Sequence, residues 1–172
     1  MTRAFCIVSI AWRRRSRHWL AALALAAPLA AGAETLKGFV VGVLDGQTVM
    51  LRDEAGRQHR VRLLGLDAPG KREPHGDLAR HNLSRIAFQQ PARAECPQRE
   101  GKARLACRVW VPPADCPGCG NTLDVGLAQI AAGLARWRAA DERPLSPDAA
   151  GRYYSAEREA RGRGRGLWAG GS

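Results

Sequence analysis

The stretch Val61-Arg62-Leu63-Leu64-Gly65-Leu66-Asp67-Ala68-Pro69-Gly70 takes an apolar strand into a turn of small residues ending in Pro and Gly. It closes a run of β pattern that begins at Leu36. Phe39, Val41 and Val43 alternate with Val40 and Gly42, and Asp45-Gly46 then supplies a hairpin signal ahead of Thr48-Val49-Met50-Leu51. Ala55-Gly56 turns the chain again into His59-Arg60-Val61-Arg62-Leu63-Leu64. Three short strands joined by tight turns form a meander, and the quoted stretch is its exit.

Beyond Pro74 the period becomes helical. Leu78, Ala79, Leu83, Ile86 and Ala87 share one face of a helix of about four turns. A second β pair follows, Ala92–Cys96 and Arg104–Val111, stopped by Pro112-Pro113 and a loop rich in Pro, Gly and Cys up to Asn121. Leu123, Leu127, Ile130 and Leu134 give the spacing of an amphipathic helix that ends near Gly133. Ser146-Pro147-Asp148 is a helix start, Ser as the cap and Pro in the first turn, for a helix running to about Arg161. The order βββ-α-ββ-α-α predicts an α+β fold, a five-stranded OB-type β-barrel with three helices. The tail Arg161-Gly162-Arg163-Gly164-Arg165-Gly166 reads either as a short RG repeat for RNA or as a helix end from which Leu167-Trp168 folds back onto the core.

The 172 residues suffice for one domain. Residues 1–33 read as a secretory signal: Arg13, Arg14, Arg15 and Arg17 precede an apolar run from Trp19 to Ala30, and Ala31-Gly32-Ala33 offers a cleavage site before Glu34. A retained anchor is the competing reading, but the run of about 12 residues falls short of the ~20 a spanning helix needs. No stable membrane anchor is therefore expected, and export to the periplasm or the medium is. Five of the 27 Lys and Arg lie in this leader and none of the 16 Asp and Glu does, so cleavage lowers the net charge from +11 to +6. A basic surface of that size suits polyanions and also plain solubility.

Loss of Cys6 with the leader leaves Cys96, Cys107, Cys116 and Cys119. In an exported domain four cysteines suggest two disulfides, of which Cys96–Cys107 across a hairpin and Cys116–Cys119 locally are favoured. A zinc site and a redox CxxC are the alternatives. The first lacks a second CxxC, and the second lacks a βαβ setting.

The quoted stretch, Asp45-Gly46-Gln47-Thr48, Glu100-Gly101-Lys102-Ala103-Arg104, the segment Asp124–Ala135 and a closing Gly166-Leu167-Trp168 occur in the order found in staphylococcal-nuclease-like (thermonuclease) domains. That family carries D-G-D-T, R-L-x-x-x-D-T/A-P-E, D-x-Y-G-R, N-x-x-L-V-x-x-G-L-A and a helix ending in G-L-W. The chain resembles it over about residues 36 to 168, and a single domain of residues 36–169, expected as a monomer, follows.

The resemblance implies calcium-dependent hydrolysis of DNA or RNA phosphodiesters. A calcium ion held by carboxylates polarises the phosphate, a glutamate activates water, and two arginines clamp the phosphate oxygens. Arg62 and Arg104 match the arginines, Asp67 matches a metal-binding carboxylate, and Lys102 and Trp137 are candidate substrate contacts. The plain reading of each arginine is a surface residue on a strand. Trp137, between Arg136 and Arg138, is either a stacking platform or a core anchor.

The acidic half of the pattern is thinned. Gln47 stands for the second acid of D-G-D-T, Ala68 for a threonine, and Gly70 for the general-base glutamate. Calcium wants roughly six to eight oxygens, so the implied metal site is weak or absent. Loss of a general base costs a factor of about 10² to 10⁴. Glu73 reaches the vacated place if the loop differs, whereas His75 and His81 read as solvated. Two functions stay open: an exported phosphodiesterase of weakened activity, and a non-catalytic OB-type module that binds nucleic acid or another anionic ligand.

Overall fold

A computed structural model describes residues 34–100, 104–141 and 145–170, with the backbone alone described at 98–100. The leader, Lys102 and the end of the chain lie outside the described residues.

The meander forms as the turn signals require. Strands β1 (Glu34–Val43), β2 (Thr48–Asp53) and β3 (Gln58–Leu63) pair antiparallel in sequence order. At the first turn Asp45 Oδ1 accepts the Gln47 N–H at 2.9 Å, the local side-chain bond that makes Asp a turn residue. The register of β1 shifts between Val40 and Gly42, so alternation does not run through. Up to that bulge the alternation holds, with Leu36 and Val40 buried and Phe39 exposed, and beyond it Val41, Gly42 and Val43 are all half-buried.

On its other edge β1 pairs with β5 (Pro91–Glu100), which turns into β6 (Arg104–Val111). Strand β6 then lies parallel to β3, with Arg62 opposite Ala106 and Leu63 opposite Cys107. That pairing closes five strands into a barrel and gives the expected OB-type α+β fold with three helices. Among the described residues each of the five strands is paired on both sides over part of its length. Val40, Val49, Leu51, Val61, Leu63 and Val109 fill the interior; each such side chain contributes about 1.5–3 kcal/mol by leaving water.

Three two-residue strands were not foreseen. β7 (Leu123–Asp124) extends the sheet beside β6, and β4 (Leu66–Asp67) pairs with β8 (Arg136–Trp137) outside the barrel. Between β3 and β4 the chain reverses at Gly65, at φ +81°, where a β-carbon would stand 2.8 Å from the Tyr153 ring. Both the conformation and the space admit only glycine there.

Helix α1 (Gly76–Ala87) buries Gly76, Ala79, Leu83 and Ala87. Leu78, assigned to that face by spacing, is exposed instead, since it lies two residues, about 200° round the helix, from Gly76 on the inward stripe. Helix α2 (Val125–Ala131) is shorter than its apolar spacing suggests. Leu123 is taken into β7, where Asp124 caps the helix by accepting the Leu127 N–H at 3.1 Å. At its other end Gly133, at φ +73°, closes a turn in which Leu134 N–H donates to Gln129 O at 3.0 Å. Helix α3 (Pro147–Gly162) starts where predicted, with Ser146 Oγ accepting the Ala149 N–H at 3.2 Å.

Both favoured disulfides are present. Cys96–Cys107 spans the β5–β6 hairpin at a Cα–Cα distance of 4.1 Å, and Cys116–Cys119 closes the exposed loop after β6. This pairing occupies all four sulfurs that a zinc site would need as thiolates. No helix among the described residues is long and apolar enough to cross a membrane.

Candidate functional site

The exit of β3 opens onto a cleft of about 300 Å³ lined by Asp67, Ala68, Pro69, Glu73, Pro74, His75, Arg136 and Leu167. Asp67 comes from β4 and Arg136 faces it across the β4–β8 pair. Glu73 and His75 come from the loop before α1. Leu167 comes from the C-terminal turn, whose N–H donates to Gly133 O at 2.8 Å.

The turn carrying Gln47 is held against this cleft from behind. Gln129, fully buried on α2, donates from Nε2 to Gly46 O at 2.8 Å and to Ala79 O at 3.0 Å, and its Oε1 accepts from Asn82 at 2.5 Å. One amide thus ties the hairpin turn to two helices, satisfying groups that burial would otherwise leave costly. Gln47 Oε1 in turn accepts the Ala68 N–H at 3.4 Å, which places position 47 next to Asp67.

Position 70 is open on its side-chain face but not empty of charge. Glu73 folds back so that Oε2 accepts the Gly70 N–H at 3.0 Å. Its carboxyl carbon stands 3.6 Å from the place a β-carbon at residue 70 would take. A carboxylate therefore lies over the glycine.

Arg62 is buried at 5% exposure. Its Nη1 donates to Asp141 Oδ2 at 3.0 Å and to Leu63 O at 3.2 Å, and the same carboxylate oxygen accepts the Gly65 N–H at 3.1 Å. Asp141 was invisible in the sequence because its partner is 79 residues away. Arg104 is exposed at the start of β6, opposite exposed Arg60 on β3. Trp137 is partly buried against the core and meets Tyr153 edge-on, ring centres 5.8 Å apart. Tyr153 itself donates to Asp124 at 2.8 Å, and burial, reinforced by that carboxylate, pushes its hydroxyl well above the usual tyrosine range. The cleft thus brings together Asp67, Glu73, His75 and Arg136, while Arg62, Arg104 and Trp137 do not line it. His81 is exposed on α1.

The family model for staphylococcal nuclease homologues matches residues 60–170, from β3 to the C-terminal turn. The chain belongs to the staphylococcal nuclease homologue family. It is also similar to Protein ParB of Escherichia coli, with 34% identity over 155 residues that span 90% of this chain and 82% of the relative.

Nucleases of this family depend on calcium in general. Here, among the described residues, no group of three or more His, Cys, Asp or Glu is placed to hold a metal ion. Asp67 and Glu73 bring two carboxylates to the cleft, but Glu73 is held by the Gly70 N–H and the neighbouring Gln47 amide oxygen is engaged by Ala68. That donor set does not fit a resident calcium ion, which takes about six to eight oxygens and several charges.

Proposed function

We propose that the protein is an exported member of the family that hydrolyses nucleic-acid phosphodiester bonds with weakened activity. The observation that carries this reading is the Glu73 carboxylate over Gly70, in one cleft with Asp67. A carboxylate so placed can take the proton of a water that attacks phosphorus. Activity is weakened because Glu73 is also bonded to the backbone and the metal-binding set is thin. Arg62 serves the site from beneath, through the Asp141 carboxylate that also holds Gly65. Arg104 and Arg60 form a basic rim suited to the polyanion backbone. Export rests on the leader-like residues 1–33 and is compatible with two disulfides.

The second reading, a non-catalytic module that binds nucleic acid or another anion, is favoured by the engagement of Arg62 with Asp141. Incubation of the purified protein with supercoiled plasmid, with calcium and with EDTA, separates them. The expected result is slow nicking, reduced by a factor of about 10² or more in Glu73→Gln. Salt-sensitive retention of DNA with no nicking at high protein concentration would establish the binding module instead.

A further inference from the structure

One cation lines the cleft, and neither sequence spacing nor the family pattern singles it out. Arg136 sits on β8 opposite Asp67, is exposed, and forms no ion pair among the described residues. What holds its guanidinium is aromatic. Its Cζ lies 5.4 Å from the centre of the Trp168 ring, which also takes Arg161 at 4.3 Å. Trp168 Nε1 is buried and has no hydrogen-bond partner among the described residues, so packing and the two cations orient the indole.

The C-terminal turn that presents Trp168 is itself pinned to the segment that presents Arg136. Besides the Leu167 N–H bond to Gly133, Arg165 Nη1 donates to Ala131 O at 3.1 Å. Gly133 and Gly166 approach so closely that a β-carbon on the first would strike Arg165 O and one on the second would strike Gly133 O. The last turn of the chain is therefore a built wall of the cleft. A guanidinium laid on an aromatic ring keeps its donor edge available and matches two phosphate oxygens at once.

We propose that Arg136 binds the substrate phosphate in the cleft and that Trp168 is the positioning residue that holds its guanidinium there. This rests on the phosphodiester reading for the identity of the ligand, and its test separates the two. Binding of a fluorescein-labelled single-stranded thymidine oligonucleotide is followed by anisotropy. Hydrolysis of bis(p-nitrophenyl) phosphate is followed by absorbance. Arg136→Ala weakens oligonucleotide binding about tenfold or more, the loss of a charge-assisted phosphate contact. Trp168→Ala gives a comparable loss, Trp168→Phe restores binding to within about twofold, and the double Arg136→Ala, Trp168→Ala variant adds little to either single change. In hydrolysis the Trp168 variants raise KM and leave kcat nearly unchanged, a split that general loosening of the fold does not produce. Thermal unfolding of each variant identifies those that are folded at the assay temperature.

Unchanged oligonucleotide binding in folded Arg136→Ala overturns the proposal, whether or not the protein hydrolyses the ester. Weakened binding in Trp168→Ala that Trp168→Phe does not rescue overturns the positioning role. Absence of hydrolysis in the unsubstituted protein, with the binding losses as expected, sinks the enzymatic reading and leaves Arg136 as the phosphate contact.

Discussion

Position 70 shows how a single missing side chain is felt. The glycine there has an ordinary van der Waals neighbour at 3.6 Å in Glu73 rather than a clash, so a β-carbon fits without rearrangement. Position 47 is already directed at Ala68, beside Asp67. Gln47→Asp combined with Gly70→Glu therefore adds two carboxylates where the cleft is short of them. Calcium binding measured by titration calorimetry is expected to tighten by about tenfold or more, and plasmid nicking in calcium to rise with it. No gain in either would mean that these two positions do not face a common ion. The neighbouring pair Arg62–Asp141 works differently, because both partners are buried and the charge is already satisfied. Its contribution is to the shape of the loop through the Gly65 N–H.

At the scale of elements, the β2–β3 hairpin carries the clearest electrostatic feature. Asp53, at the end of β2, accepts from His59 at 2.8 Å and from the Arg57 side chain and backbone at 2.9 and 2.8 Å. The His59 bond foremost, with Arg57, brings its pKa from 3.8 down to about 2. A carboxyl depressed on folding stabilises the native state fully above its unfolded pKa, and that increment disappears as pH falls through the folded value. The window is thus from about pH 3.8 down to about pH 2. Urea midpoints measured across it are expected to fall for the native protein and to fall less for Asp53→Asn; parallel curves would remove Asp53 from the acid response. The helices carry a different lesson. Leu123 to Leu134 has helical spacing throughout, yet α2 takes only Val125–Ala131. Pairing with β6 claims Leu123, and the Gly133 turn ends the helix before Leu134.

For the whole molecule, barrel closure depends on the parallel β3–β6 pairing, and the Cys96–Cys107 bond lies beside it, since Cys107 faces Leu63 in that register. Both cysteines are buried. Replacing the pair by alanine is expected to cost about 2–4 kcal/mol in urea unfolding. The same change at Cys116 and Cys119 costs less, because that bond closes a loop of sequence separation 3 against 11. Equal losses would argue that loop closure is not the source of the stabilisation. Much of this architecture was legible beforehand. Turn chemistry at Asp45-Gly46 and Ala55-Gly56, the cap at Ser146 and the two disulfide pairings depend on residues near one another in the chain or across one hairpin. Asp67 as a metal-side carboxylate and Gly70 in the place of an acid were read instead from the resemblance to staphylococcal-nuclease-like domains. The Arg62–Asp141 pair, the Gln129 bridge to Gly46, Glu73 folded over Gly70 and Arg136 on Trp168 could not be read in either way. Local sequence by itself determined the turns and the five barrel strands, because steric and hydrogen-bonding preferences act within a few residues. Tertiary structure alone decided which charges face the cleft and which are buried beneath it, because only the closed barrel brings those distant side chains within reach of one another.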